Sequence, residues 1–183
     1  LMAFSYSHLY KIPCTGLRFF TVYGPYGRPD MAYFKFAEAI NAGQPIDVYN
    51  NGLMKRDFTY IDDIVEGLLK VMSVVPKDEK SRNSGAKAPF KVFNIGNNNP
   101  VNLLDFIETI ESELGKKVEK NMLPMQAGDV PETYADIDDL FLEIGFKPKT
   151  SINSGIHDFI VWYKKYKNKT SSKEWYEGSY LYW

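Results

Sequence analysis

The chain has 183 residues, 44% of them hydrophobic, and sets 22 Lys and Arg against 23 Asp and Glu for a net charge of −1. That balance gives no electrostatic case for a nucleic-acid partner, while the apolar content suffices for a cored globular protein. No apolar run approaches the roughly 20 residues of a membrane span and no charged-then-apolar leader precedes Leu1, so a cytoplasmic protein without membrane contacts is expected.

One cysteine, Cys14, excludes an internal disulfide framework and a thiolate cluster, and two histidines, His8 and His157, leave little for a metal site. Cys14 is expected to be a small buried thiol.

In chain order, Leu1 to Lys11 has helical spacing without an N-terminal cap, as in the tail of a helix that began upstream. Leu17 to Val22 reads as a strand that stops at the Gly24-Pro25 turn. Met31 to Ala42 carries Phe34, Ala37 and Ile40 on one stripe with Gly43 as a stop, Pro45 to Tyr49 is a short strand, and Asn50-Asn51-Gly52 turns the chain. Phe58 to Tyr60 is another short strand. Ile61, Ile64, Val65, Leu68, Leu69 and Met72 then define an amphipathic helix. Lys77 to Pro89 reads as a solvated surface loop. Lys91 to Ile95 is a strand, and Asn102 with Asp105 opens a helix carrying Leu103, Phe106, Ile110 and Leu114. Val118 to Leu123 is a strand, Asp136 caps a short helix that Gly145 ends, and Ser151 caps a last helix with Ile152, Ile156, Phe159, Ile160 and Tyr163 inward. Strands alternating with helices argue for an α/β fold.

Three constellations offer chemistry. Thr21, Tyr23, Gly24 and Arg28 stand at the carboxyl end of a strand, where open α/β sheets bind ligands; an ordinary turn with a surface arginine is the competing reading. Arg56-Asp57 precedes a strand, and a planar guanidinium suits phosphate or carboxylate; the alternative is a surface Arg–Asp pair. Gln126-Ala-Gly-Asp129-Val-Pro131 offers an amide and a carboxylate to hydroxyl groups, or is simply a capped turn. Tyr163-Lys-Lys-Tyr-Lys167 has the spacing of a catalytic phenol–ammonium pair, but its place among lysines at the end of the last helix favours a solvated face.

Arg18-Phe-Phe-Thr-Val-Tyr-Gly-Pro25, Gly27-Arg-Pro-Asp-Met31, Arg56-Asp-Phe-Thr-Tyr-Ile-Asp-Asp63 and Gly128-Asp-Val-Pro-Glu-Thr-Tyr-Ala-Asp136 together resemble the NAD-dependent nucleotide-sugar epimerase/dehydratases. These are extended short-chain dehydrogenases, and within them the chain is most similar to the UDP-glucuronate 4-epimerases, from Leu1 to about Tyr166. The resemblance implies a Rossmann-like α/β fold of which this chain is the C-terminal part. Residues 1–30 and 61–115 would be a remnant of the dinucleotide-binding domain, with two strands of its parallel sheet. Residues 31–60 and 116–167 would form the smaller nucleotide-sugar domain, and 168–183 a tail.

It further implies that Arg56 clamps the nucleotide diphosphate, that Gln126 and Asp129 approach the ribose and diphosphate, and that Tyr49 packs near the uracil. Thr21 and Arg28 would hold the sugar carboxylate, since a neutral hexose leaves Arg28 without a charged partner. Phe20, Val22 and Tyr23 would lie beside the nicotinamide of NAD. The Gly-rich turn and the Tyr-x-x-x-Lys pair of such enzymes would precede Leu1, so this chain alone is expected not to interconvert UDP-glucuronate and UDP-galacturonate through the 4-keto sugar. Intact relatives are expected to be homodimers. A nucleotide-sugar dehydratase or decarboxylase of the same fold, and a non-catalytic nucleotide-sugar binding or interaction module, remain as alternatives. Sheet strands without their neighbours would leave apolar surface exposed.

Overall fold

The computed structural model describes residues 1–80 and 85–171. Its helices are α1 (Met2–Tyr10), α2 (Ala32–Ala42), α3 (Ile61–Met72), α4 (Leu103–Leu114), α5 (Asp138–Ile144) and α6 (Ile152–Ser171). Its strands are β1 (Cys14–Phe19), β2 (Thr21–Tyr23), β3 (Ile46–Val48), β4 (Lys55–Arg56), β5 (Phe58–Tyr60), β6 (Glu79–Lys80), β7 (Lys87–Ala88), β8 (Phe90–Ile95), β9 (Val101–Asn102) and β10 (Lys120–Met122). The tail expected from residue 168 begins inside α6, and its aromatic stretch from residue 172 lies outside the described residues. No described helix is long and apolar enough to cross a membrane.

Contacts divide the chain into two compact units: Leu1–Val22, Lys55–Val101 and Glu132–Thr150 in the first, and Tyr23–Met54, Asn102–Pro131 and Ser151–Trp183 in the second. Relative to the sequence-based boundaries, residues 23–30 and 102–115 fall in the second unit, and residues 55–60 and 132–150 in the first.

In the first unit β1 and β8 run parallel in the register Cys14↔Phe90 to Phe19↔Ile95. The strand begins three residues earlier than its sequence suggests. Gly16, just ahead of the expected strand, sits inside the ladder, where an added Cβ would be in ordinary contact with Val92 at 3.5 Å and the Lys91 carbonyl at 3.9 Å. The ladder ends at Phe20, whose amide donates to the Ile95 carbonyl at 3.1 Å, and β2 follows. Ile64, Val71, Phe93, Ile95, Leu140 and Phe146 form the core, with Leu17 and Val22 packed against them. Burying each such side chain contributes about 1.5–3 kcal/mol.

Three expectations for this unit need correction. Of the expected apolar stripe of α3 only Ile64 is buried, Ile61 and Leu68 are half-buried, and Val65, Leu69 and Met72 face solvent, while Val71, outside that stripe, is buried. The stretch 77–89 is not all loop, because β6 and β7 pair antiparallel within it, Glu79 opposite Ala88, on either side of residues 81–84, which lie outside the described set. Cys14 is half-buried rather than buried.

In the second unit α2 stops at Gly43, whose positive φ of 68° lets its amide reach the Ala39 and Ile40 carbonyls. Parallel β3 and β10 pair from Ile46↔Lys120 to Val48↔Met122. Helix α6 starts on Ser151, whose Oγ accepts the Ser154 amide at 3.2 Å, and it buries Ile156, Phe159, Ile160 and Tyr163. Aromatic edges fill this core: Tyr33 meets Phe159 at 4.9 Å, Phe34 meets Tyr163 at 5.7 Å, and Tyr23 meets Phe106 at 6.0 Å between ring centres. The Asn102–Asp105 pair at the start of α4 forms side chain to side chain, Asn102 Nδ2 donating to Asp105 Oδ2 at 3.2 Å, and not as a backbone cap.

Candidate functional site

Each parallel strand pair brings the residues after its carboxyl ends to one edge, the position at which open α/β sheets present ligand-binding loops. In the first unit, Phe20 to Val22 follow β1 while Gly96 to Asn98 follow β8. In the second, Tyr49 follows β3 while the loop to Gln126 follows β10. The two loops are stitched together, because the Leu123 amide donates to Val48 O at 3.0 Å and the Asn51 amide donates to Leu123 O at 2.9 Å. Asn50 and Asn51 both take positive φ, 51° each, a conformation asparagine tolerates better than most residues, and this folds the chain back beside half-buried Tyr49.

The first unit also holds Thr21 on β2 and Arg56 on β4. Thr21 is half-buried. Arg56 is half-buried too, and its Nη1 donates to the Lys55 carbonyl at 3.0 Å. Its neighbour Asp57 is no surface partner. Asp57 is fully buried, and its carboxylate accepts the Asn97 amide at 2.8 Å, the Asn98 amide at 3.1 Å and the Ala135 amide at 2.8 Å. Its own amide donates to Thr133 Oγ1 at 3.1 Å. Gly96 makes this packing possible, since a Cβ there would fall 2.2 Å from the Ala135 Cβ and 3.3 Å from the Phe20 ring. Asp57 therefore fixes the loop after β8, the segment before α5 and the strand carrying Arg56 to one another. The surface Arg–Asp pair, one of the two readings that the sequence leaves open, does not hold for Asp57; the signal for burial is its place ahead of Phe58-Thr59-Tyr60, all three of which are buried.

The second unit holds Tyr23, Arg28, Tyr49, Gln126 and Asp129. Tyr23 is 1% exposed and edge-on to Tyr33 and Phe106, so its side chain belongs to the core and only its backbone is left for a cofactor. Gln126 is exposed on a turn closed by the Asp129 amide donating to the Gln126 carbonyl at 3.2 Å, with Gly128 at φ 85°. Half-buried Asp129 also accepts the Val130 amide on Oδ1 at 2.8 Å.

Arg28 lies on the exposed loop ahead of α2. Its Nε donates to Asp30 Oδ1 at 3.0 Å and its Nη2 pairs with Asp30 Oδ2, a two-pronged fork. The hydrogen bond, together with the opposite charge, holds the guanidinium pKa above its ordinary value and the Asp30 carboxyl below its own. The inference that a neutral sugar would leave Arg28 without a charged partner thus fails, because the chain supplies one two residues on. Asp30 stands in the Gly27-Arg-Pro-Asp-Met31 motif, but its pairing with Arg28 is visible only in the structure.

The Tyr163–Lys167 spacing acquires no catalytic character. Burial pushes the Tyr163 phenol up, the opposite of what a base needs, and Lys167 pairs with Glu38. Among the described residues no group of three or more His, Cys, Asp or Glu side chains could hold a metal ion.

The NAD dependent epimerase/dehydratase family matches residues 1–96. Protein CapI of Staphylococcus aureus is 56% identical over 92% of this chain and 52% of its own length. A probable UDP-glucuronate 4-epimerase of Rhizobium meliloti is 53% identical over 89% of this chain and 50% of its own length. The crystal structure of UDP-glucuronic acid 4-epimerase from Bacillus cereus, in complex with UDP-glucuronic acid and NAD, superposes with a TM-score of 0.76 at 30% identity, covering 88% of this chain and 48% of that one. The chain spans about half the length of each of these relatives.

Proposed function

Because the chain belongs to the NAD dependent epimerase/dehydratase family, we propose that it forms the nucleotide-sugar-holding part of an enzyme resembling the UDP-glucuronate 4-epimerases. The observation that carries this reading is the Arg28 fork, which already holds a carboxylate in two-pronged geometry, in a chain about half identical to a probable UDP-glucuronate 4-epimerase.

In this reading Arg28 and Thr21 take the sugar carboxylate, the guanidinium through paired N–H donors and the hydroxyl through one. Arg56 neutralises the diphosphate from a strand made rigid by Asp57. Tyr49 offers a ring face to the uracil. Gln126 and Asp129 take ribose hydroxyls with one amide and one carboxylate. NAD, when bound, accepts a hydride from the sugar and returns it. Phe20 and Val22, with the backbone of Tyr23, fit the nicotinamide side of such a cofactor. The sequence has no Gly-rich phosphate turn, so the pyrophosphate is not assigned to these residues.

Calorimetry of the chain with UDP-glucuronate, UDP-glucose and UDP tests the reading directly. UDP-glucuronate should bind several-fold more tightly than UDP-glucose, Arg28→Ala should erase that difference, and Arg56→Ala should weaken all three by roughly tenfold or more. Equal affinity for acidic and neutral sugars before and after Arg28→Ala would remove the uronate from the proposal, and leave a nucleotide-sugar module without acid selectivity.

A further inference from the structure

We propose that Asp30 is an internal stand-in for the substrate's carboxylate, which a uronate must exchange out of the Arg28 fork and a neutral sugar cannot, so that Asp30 helps to set the preference between them. The proposal rests on the reading that Arg28 receives the sugar acid and deepens it by naming what holds the site until then.

Three observations carry it. The contact is chemically the one a uronate would make: both oxygens of one carboxylate against Nε and Nη2 of one guanidinium. Its geometry is local and needs no distant support, since the Met31 amide donates to the Arg28 carbonyl at 3.2 Å and closes the turn that sets the two side chains beside each other. Finally, the pair is open to exchange, the side chains being 76% and 59% exposed. An exposed pair of this kind is weak enough to be displaced by a ligand anchored elsewhere through its nucleotide.

Exchange conserves charge pairing. Arg28 passes from one carboxylate to another, while Asp30 moves into water with exposed Lys35 of α2 still near enough to be felt. A neutral hexose offers no anion to exchange and leaves the fork closed, so its binding does not depend on Asp30. Competition within the loop thus tempers the attraction to the acid, and the preference that is measured is the difference between the two.

The test is calorimetry of the full chain and its Asp30→Asn and Arg28→Ala variants with UDP-glucuronate and UDP-glucose. Asp30→Asn should tighten UDP-glucuronate by about two- to fivefold and leave UDP-glucose unchanged. Unchanged or weakened uronate binding in Asp30→Asn, while Arg28→Ala still loses its uronate preference, would overturn the exchange and leave the function intact. Loss of effect at Arg28 itself would count against the function instead.

A second readout covers weak binding: the Arg28 Nε–H signal followed by NMR as free glucuronate is added. It should shift at lower concentration in Asp30→Asn than in the native chain, and a signal indifferent to the acid in both would also overturn the proposal.

Discussion

Glu111 shows how one side chain converts burial into pH dependence. It lies on α4 at 2% exposure, accepts the Val118 amide at 3.1 Å and the Lys120 ammonium at 2.8 Å through the same oxygen, Oε1, and ties the helix to the strand that follows it. Burial by itself raises the carboxyl pKa; the hydrogen bonds from Lys120 and Val118, with the charges of Lys120 and Lys117, outweigh it and leave the pKa below the ordinary value. A carboxyl lowered by folding stabilises the native state above its unfolded pKa, near 4.3, and loses that contribution as pH falls from there through the lowered value. Thermal melts of the native chain and Glu111→Gln should differ by about 2 kcal/mol at neutral pH, with the gap closing below about pH 4. A gap that stays constant from neutral to acid pH would mean that the charge of Glu111 is not what stabilises this corner.

At the scale of elements, helix α6 and the end of β2 meet through the absence of a side chain. Gly155 lies in the first turn of α6, and a Cβ there would fall 2.2 Å from Tyr23 Oη and 2.8 Å from its Cζ. Tyr23 is wedged edge-on against Tyr33 and Phe106 and has no room to retreat. Alanine is the better helix former by about 1 kcal/mol, but overpacking of this kind costs about 1–3 kcal/mol, so Gly155→Ala should destabilise the chain in chemical denaturation. Tyr23→Phe in the same chain should restore part of the loss.

The elements themselves were largely legible. Gly43 and Gly145 mark the ends of α2 and α5, and Ser151 marks the start of α6, because caps are local chemistry. What sequence misplaced depends on partners far along the chain. Gly16 reads as a break until β8 is seen to pair across it, and the outer stripe of α3 reads as core although Leu69 and Met72 are 60% and 72% exposed. The site divides the same way. Motifs marked Thr21, Arg28 and Arg56 as candidates, whereas the pairing of Arg28 with Asp30 became visible only as a contact.

For the whole molecule, the first unit carries much uncovered apolar surface. Among the described residues β1 and β8 are paired only with each other, and a two-stranded parallel sheet is a marginal structure unless its faces are covered. Met2, Leu9 and Tyr10 on α1 are 79%, 68% and 65% exposed, and Leu17, Leu68, Met72 and Val75 line a groove beside β1. The isolated chain should therefore bind a hydrophobic dye under native conditions and scatter light as its concentration rises. Replacing Leu69 and Met72 together by lysine should cut the dye signal without lowering the melting midpoint. A monomeric chain that melts sharply and binds no dye would show that this surface is covered.

The burial of Asp57 has a consequence for how such a chain reaches its folded state. Its acceptor contacts lie 40, 41 and 78 positions further along the sequence, at Asn97, Asn98 and Ala135. A carboxylate removed from water is compensated only when its donors are all present; one donor short, the group is worse off than in solvent. Partial assemblies of the first unit, with one loop astray, are therefore penalised relative to both the finished and the unmade state. Asp57 acts as a checkpoint on assembly, making the last correct contact worth more than the first.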